Sequence, residues 1–453
     1  MVKSEEIRLI WGLPRRVWDG VGLLFLALVL AALVWRQSHI VVIDGDVARS
    51  AELGRDGLAD FRDVIHYPLV AAGEGVNPYD GGTAPLSDGG PRYSQRYPVG
   101  GALPLYSPLI LLLYWPFGYG GFYASAGAYV VLNVGLLQLW AWSCWRVAGV
   151  RPSIGQIAIL TGVILVTQAG RANFLGGETA IPLALASLWA VSMAPRRPWL
   201  TGVALAVATF KPTFGLPLGI LLLAGGHLRT VALGWGVGFL IAVAGLVIIF
   251  ARSGDLARMP EVLRHNQEVV ASDPEVNAQT SPARFDSAGA IQRWLPVEGP
   301  IVGLLASVAV LGLAGTAVWR LRRRQEEPRI ARLTIAIVCL ATVSGIYHLS
   351  YDGLLLWAPI AIVLLSPAEA GPIDSKAQRW LVGILLVAPM FHVLGATSVQ
   401  RWARPLLPLE SIPAAVAEFG WTVICTFNGL CLLAALVLLV SHALRARDAP
   451  AGT

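Results

Sequence analysis

"PWLTGVALAVATFKPTFGLPLGILLLAGGH" (residues 198–227) is the stretch whose reading decides the fold. Taken as one helix, it is a single membrane span. The polar segment 252–297 then falls inside and the basic run "RLRRR" (320–324) outside, against the positive-inside rule. Taken as two shorter helices hinged at "FKPTF" (210–214), it removes the conflict. Proline lacks a backbone donor and favours a break there.

The same device suits two more stretches. Segments 153–168 and 172–194 hinge at "GRANFLGGE" (170–178), and 333–346 and 353–366 hinge at "YHLSYDG" (347–353). With all three hinges in place, the basic clusters "LPRRVW" (13–18), "APRRPW" (194–199) and "RLRRRQEEPRIARL" (320–333) share the cytoplasmic side with both termini. The loop 40–106, the three hinges and the loop 252–297 then face the periplasm together. Broken helices in membrane proteins commonly mark binding sites.

Composition supports a membrane protein. The chain of 453 residues is 55% hydrophobic and only 14% charged, with a mean hydropathy of +0.63. Apolar runs of roughly 17 to 25 residues, the length of a transmembrane helix, recur from end to end. The net charge of +6 sits in short loops, as membrane anchors rather than a nucleic-acid surface. All four cysteines fall in apolar stretches, which excludes a disulfide framework. The apolar run 17–35 follows a basic start but has no small-x-small cleavage site, so it reads as an uncleaved first helix. "SPLILLLYWPFG" (107–118) is too short to span and reads as a re-entrant or interfacial piece. The expected fold is an all-α polytopic membrane protein of about twelve transmembrane helices, some short or broken, in one domain over residues 1–453.

The first loop holds the acids Asp44, Asp46, Glu52, Asp56, Asp60, Asp63, Glu74 and Asp80; a solvated loop with helix caps accounts for most of them. Within it, "DFRDVIHYPLVAA" (60–72) carries Phe61, Ile65 and Leu69 as an apolar stripe. That spacing predicts a helix on the membrane surface, holding one acid at a cavity mouth.

These residues also carry a resemblance. "ADFRDVIHYPLVAAGEGVNPYD" (59–80) is similar to the D-F-x-x-Y-Y-x-A-A … G-x-x-P-Y-D pattern of glycosyltransferase family 87. These are the polyprenol-phosphate-mannose-dependent alpha-mannosyltransferases of the GT-C superfamily. "YSPLILLLYWPF" (106–117) resembles their Y-P-P-L and L-x-x-P, and "ATFKPTFGLPLGILLL" (208–223) their K-P-x-P. "GRANFLGGETAIPLALA" (170–186) resembles their G-Q-x-N, with Arg171 in place of the glutamine. "YHLSYDGLLLWAP" (347–359) occupies the place of their polar stretch before a late helix.

The resemblance implies an inverting GT-C-like glycosyltransferase that moves a sugar, mannose by default, from a polyprenyl-phosphate donor to a lipid or glycan acceptor. The setting would be the periplasmic face of the bacterial inner membrane. Asp60 falls on the family's catalytic base, with Asp63, one turn on, as the alternative. A carboxylate within hydrogen-bonding reach takes the proton of a hydroxyl as the new bond forms. A polyprenyl phosphate leaves without acid help, but its charge needs cations.

Lys211 and Arg171 at broken helices, with His348 as a donor, are the candidates for that task. The plain alternatives are a snorkelling Lys211 and an interior His348 satisfied by its neighbours. Tyr347, Tyr351, Asp352 and Asn173 are candidates for acceptor or sugar, and Asp352 alternatively orients His348. Arg92 and Arg96 read as loop decoration, and Asn277, Gln279, Arg284 and Trp294 as weaker sugar candidates. No metal-ligand spacing is present, so no metal and no cofactor are expected. A secondary transporter or flippase of the cell-envelope glycan pathway, which also uses broken helices and central charges, is the competing reading.

Overall fold

The computed structural model describes residues 15–40, 57–80, 93–97, 99, 103, 106–272, 281, 283–295, 300–392 and 414–445. Two hinges form where expected, at 210–214 and 347–353; at the other, residues 170–176 are helical and the chain breaks at Thr167 and Gly177 instead. Helix Pro198–Ala208 ends before Lys211, whose extended backbone (φ −113°, ψ 103°) is the conformation favoured ahead of a proline. Pro212 then opens helix Pro212–Ala224 at a position whose N–H has no helical partner anyway. Thr167, also extended, separates Ile154–Val166 from Gln168–Gly176, and the two axes bend by 82°. Its side chain accepts from Gly170 N at 3.2 Å, so the new helix starts capped. Gly177 ends that helix in the left-handed region (φ 79°), and Ala180–Met193 follows. Pro328–Gly345 runs into extended Ile346, then the 3-10 turn Ser350–Leu356 and helix Trp357–Leu365.

Among the described residues the elements are helical, and six helices are long and apolar enough to cross a membrane: Arg16–Ser38, Phe122–Val147, Leu228–Arg252, Ile301–Arg324, Pro328–Gly345 and Phe419–Arg445. The bent pair at Thr167 makes a seventh if counted as one span. The expected dozen is not confirmed, because Ala180–Met193, Pro198–Ala208, Pro212–Ala224 and Ser350–Leu365 are each shorter than a full crossing. Large apolar side chains stand exposed on the long helices, among them Leu28 at 62%, Val131 at 73% and Phe239 at 68%, as a lipid-facing surface requires.

Of two loop segments, one follows expectation and the other does not. Residues 107–118 form the short helices Leu109–Leu113 and Trp115–Gly118, in line with a piece that does not span. The first-loop stripe does not lie on a membrane surface. Phe61–His66 is a π-helical turn continuing into helix Tyr67–Glu74, and Phe61 and Ile65 are fully buried. Phe61 sits among Phe117, Phe122 and Tyr129, with ring centroids 6.1, 5.9 and 4.6 Å away. Leu69 packs on Gly118. The apolar face predicted from spacing is real, but protein covers it. Phe61→Ala would cost on the order of 3–5 kcal/mol there.

Candidate active site

The turn that carries Asp60 is pinned on several sides. Leu58 N donates to Leu175 O at 2.7 Å, tying its start to the end of helix Gln168–Gly176. Gly177 packs so closely that a Cβ there would stand 2.7 Å from Phe61 Cβ and 2.9 Å from Phe61 N. Tyr129 donates its hydroxyl to the carbonyls of Gly177 and Glu178, both at 2.9 Å. A Cβ on Gly176 would meet Asp60 Oδ2 at 3.5 Å and Glu178 Cγ at 3.8 Å, so both carboxyl groups crowd one spot. They are hydrogen-bonded to each other. Glu178 is buried while Asp60 is half-buried. Burial, and next the Asp60 carboxylate, push the Glu178 carboxyl well above its usual range.

Lys211, the last residue before Pro212, points into the second half of the site. Its Nζ donates to both oxygens of Asp352 at 2.7 Å and stands 4.5 Å from the Tyr351 ring centre. Asp352 Oδ2 also accepts from His348 Nδ1 at 2.9 Å, and His348 Nε2 lies 3.1 Å from Thr213 O. Each ring nitrogen of His348 therefore faces a protein acceptor, and the ring is locked. Asn173 staples two hinges together: its Nδ2 donates to Ala169 O and Tyr351 O, and its Oδ1 accepts from Ala180 N. Asp60, Lys211 and Asp352 all lie close enough to Glu178 to act on it electrostatically. The two halves form one polar cluster around Glu178.

The long loops clasp this cluster. Arg284 and Leu349 form an antiparallel bridge, with Phe285 N donating to His348 O at 2.9 Å and Ser350 N to Ala283 O at 3.0 Å. The Arg284 guanidinium lies 4.9 Å over the Tyr347 ring and pairs with Asp286 at 2.7 Å. Asp286 in turn caps helix Ser287–Trp294 through Gly289 N. The "NPYD" segment is a second clasp: Tyr79 donates to Tyr106 O at 2.8 Å, Asn266 donates to Tyr79 O, and buried Asp80 pairs with Arg258 at 3.3 Å. Asp80 is thus no solvated loop acid.

The other candidates scatter. Asp63 pairs with its neighbour Arg62 at 2.6 Å. Arg171 is half-buried near Arg36 and makes no ion pair or hydrogen bond with the Lys211 cluster. Arg96 and Tyr97 bind Glu74 at 2.5 and 2.7 Å, and burial, followed by this contact, pushes the Tyr97 hydroxyl up to about 12. Trp294 reaches Thr426 at 3.2 Å. Asp44, Asp46, Glu52, Asp56, Arg92, Asn277 and Gln279 lie outside the described residues. Among the described residues no group of three His, Cys, Asp or Glu side chains is placed to hold a metal ion.

Glu178 is the residue that sequence reasoning missed. An acid two residues after Gly176 at a hinge, ahead of an apolar helix, was a visible signal, since acids in such places are costly. Beside the pocket runs an apolar groove of about 690 Å³ between Tyr106, Pro212, Trp235, Ala242 and Leu263. It opens next to Leu216 and Phe239, which are 51% and 68% exposed.

Comparison with known proteins bears on the same region. Neither the curated proteins nor the solved structures contain a match to the chain. A model of glycosyltransferase family 87 matches residues 105–344, more than half of the chain. The matched range includes Arg171, Asn173, Glu178 and Lys211, while Asp60 and the 347–352 hinge lie outside it. Among the described residues, a helical architecture with a lipid-facing surface and a buried polar cluster is consistent with the GT-C assignment. The chain belongs to glycosyltransferase family 87 and is a membrane glycosyltransferase.

Proposed function

We propose that the protein transfers a hexose, mannose by default, from a polyprenyl-phosphate donor to a hydroxyl of a lipid or glycan acceptor. The reaction proceeds with inversion on the periplasmic face of the bacterial inner membrane. The observation that carries this reading is the meeting of Asp60 and Lys211 in one cluster, each acting on Glu178. A base for the acceptor and a cation for the departing phosphate are the two groups such a transfer needs.

The step balances without another reactant. The acceptor oxygen attacks the anomeric carbon and gives its proton to Asp60. The bond from that carbon to the phosphate oxygen breaks, and polyprenyl phosphate leaves with the electron pair. An ammonium has three donors, of which Asp352 takes two, so Lys211 offers the third to the phosphate. His348 serves by holding Asp352. Tyr347 and Tyr351 line the sugar side, Asn173 keeps the hinges together, and Arg171 is left as an outer contact for the lipid phosphate. The apolar groove supports a lipid-linked donor, because it leads from the lipid-facing surface to the neighbourhood of Lys211.

The short helices Ala180–Met193, Pro198–Ala208, Pro212–Ala224 and Ser350–Leu365 are counted here as half-spans reaching the pocket from the cytoplasmic side. That count restores about twelve membrane segments. Loops 40–106 and 252–297 then form the periplasmic cover of a single domain. Family membership decides against the transporter or flippase reading. Purified protein incubated with a polyprenyl-phosphate hexose and a glycolipid acceptor should release polyprenyl phosphate. No release over a panel of polyprenyl-phosphate sugars would overturn the donor class.

A further inference from the structure

We propose that Glu178 works as a neutral carboxylic acid that donates a hydrogen bond to Asp60 and holds it as the ionised, correctly turned base. The inference rests on Asp60 being that base. Two observations and one chemical rule carry it. The two carboxyl groups are hydrogen-bonded to one another and crowd the same spot above Gly176. A hydrogen bond between two carboxyl groups needs one proton, and two carboxylates in contact away from water do not both ionise. Burial then decides which one keeps it. Glu178 is only 8% exposed, whereas Asp60 is half-buried.

The turn that presents Glu178 leaves it little freedom. Gly177 abuts Phe61, and Tyr129 holds the carbonyls of both Gly177 and Glu178. The groups that face Glu178 are Asp60 from the first loop, Lys211 from the second hinge, and Asp352 from the third. Tyr106, Tyr129 and Tyr351 complete its surroundings. Lys211 is bound to Asp352, so the field left over is that of Asp60, and it favours a neutral Glu178.

Three variants test this: Glu178→Gln, Glu178→Ala and Asp60→Asn, each assayed for turnover, donor KM and pH profile, with folding checked by thermal melting. Glutamine keeps a donor toward Asp60; alanine does not. Turnover of Glu178→Gln should exceed that of Glu178→Ala by about tenfold or more, the scale of a lost positioning contact in proton transfer. Donor KM should stay within about threefold in both, since Glu178 does not bind the donor. The wild type should lose activity toward high pH as Glu178 gives up its proton beside Asp60, and Glu178→Gln should not show that loss. Equal loss in Glu178→Gln and Glu178→Ala with an inactive Asp60→Asn would overturn the acid role while leaving Asp60 as base. An inactive Glu178→Gln with an active Asp60→Asn would instead make Glu178 the base and overturn the reading of Asp60 as well. Unchanged turnover in Glu178→Ala would overturn the inference outright.

Discussion

Lys211 Nζ stands 2.7 Å from both carboxylate oxygens of Asp352, with the lysine side chain 7% exposed and the aspartate fully enclosed. The pair joins two hinges that are 141 residues apart in sequence. Desolvating two charges costs several kcal/mol each, and good geometry only offsets that cost. The donor-phosphate role proposed for Lys211 gives a reason to keep an arrangement this expensive.

Substitution at Lys211 must therefore separate folding from binding. Lys211→Met alone strands the Asp352 carboxylate and should lower stability by about 3–5 kcal/mol. Lys211→Met combined with Asp352→Asn removes both charges and should recover most of the melting temperature. Donor KM in that double variant should still rise about tenfold or more, the worth of one charge-assisted hydrogen bond. Lys211→Arg should rescue only partly, because a planar fork does not replace a point charge. Wild-type donor KM in the double variant would remove Lys211 from the donor site.

Asp60 and Asp63 give the next contrast. Asp60 shares a hydrogen bond with Glu178 in the pocket, whereas Asp63 is tied to Arg62. Asp60→Asn keeps the shape but takes no proton, so turnover should fall by about 100-fold to 10,000-fold while the donor still binds. Asp63→Asn should cost less than about fivefold in turnover, because Asp63 pairs with the buried Arg62 and any loss is one of stability rather than of a transition-state contact. A single-turnover assay with labelled donor distinguishes the two. An inactive Asp63→Asn beside a working Asp60→Asn would place the base one turn later.

What the sequence made legible follows from local chemistry. The break at Lys211–Pro212 was readable because proline and the residue before it have few backbone choices. The cost of a cation in an apolar run singled out Lys211 as a residue to be buried against a partner. Its pairing with Asp352 was not readable, since only folding brings the two together across 141 residues. Spacing showed that Phe61 and Ile65 share an apolar face with Leu69, but nothing in the spacing says whether lipid or Phe117, Phe122 and Tyr129 covers it. The span count failed to close for a similar reason. Hydropathy measures how apolar a segment is, and a half-length helix sheltered by its neighbours scores like a full one.

The proposed sidedness has its own test. In a protein whose four native cysteines are replaced, cysteine introduced at Ser87 should react with an impermeant maleimide in intact cells, and cysteine at Gln325 should not. Gln325 follows the basic run 320–324, which the positive-inside rule keeps in the cytoplasm. Labelling at Gln325 and protection at Ser87 would invert the scheme and move the pocket to the other face.

The groove beside Pro212 gives the last prediction. It has a volume of about 690 Å³, its walls include Trp235 and Ala242 of helix Leu228–Arg252, and it opens among side chains that face lipid. If an isoprenoid chain lies there, each buried CH₂ adds about 0.8 kcal/mol, so binding should depend on chain length. Ala242→Trp would occupy that space from a half-buried position on the wall, away from Asp60 and Lys211. Donor KM for a long-chain polyprenyl-phosphate sugar should rise about tenfold, whereas a donor with a single short isoprenoid unit should change less than about twofold. Turnover at saturation should hold for both, because the substitution removes uniform binding and not a transition-state contact. Equal effects on long and short donors would show that the chain takes another path, and the groove would lose its assignment.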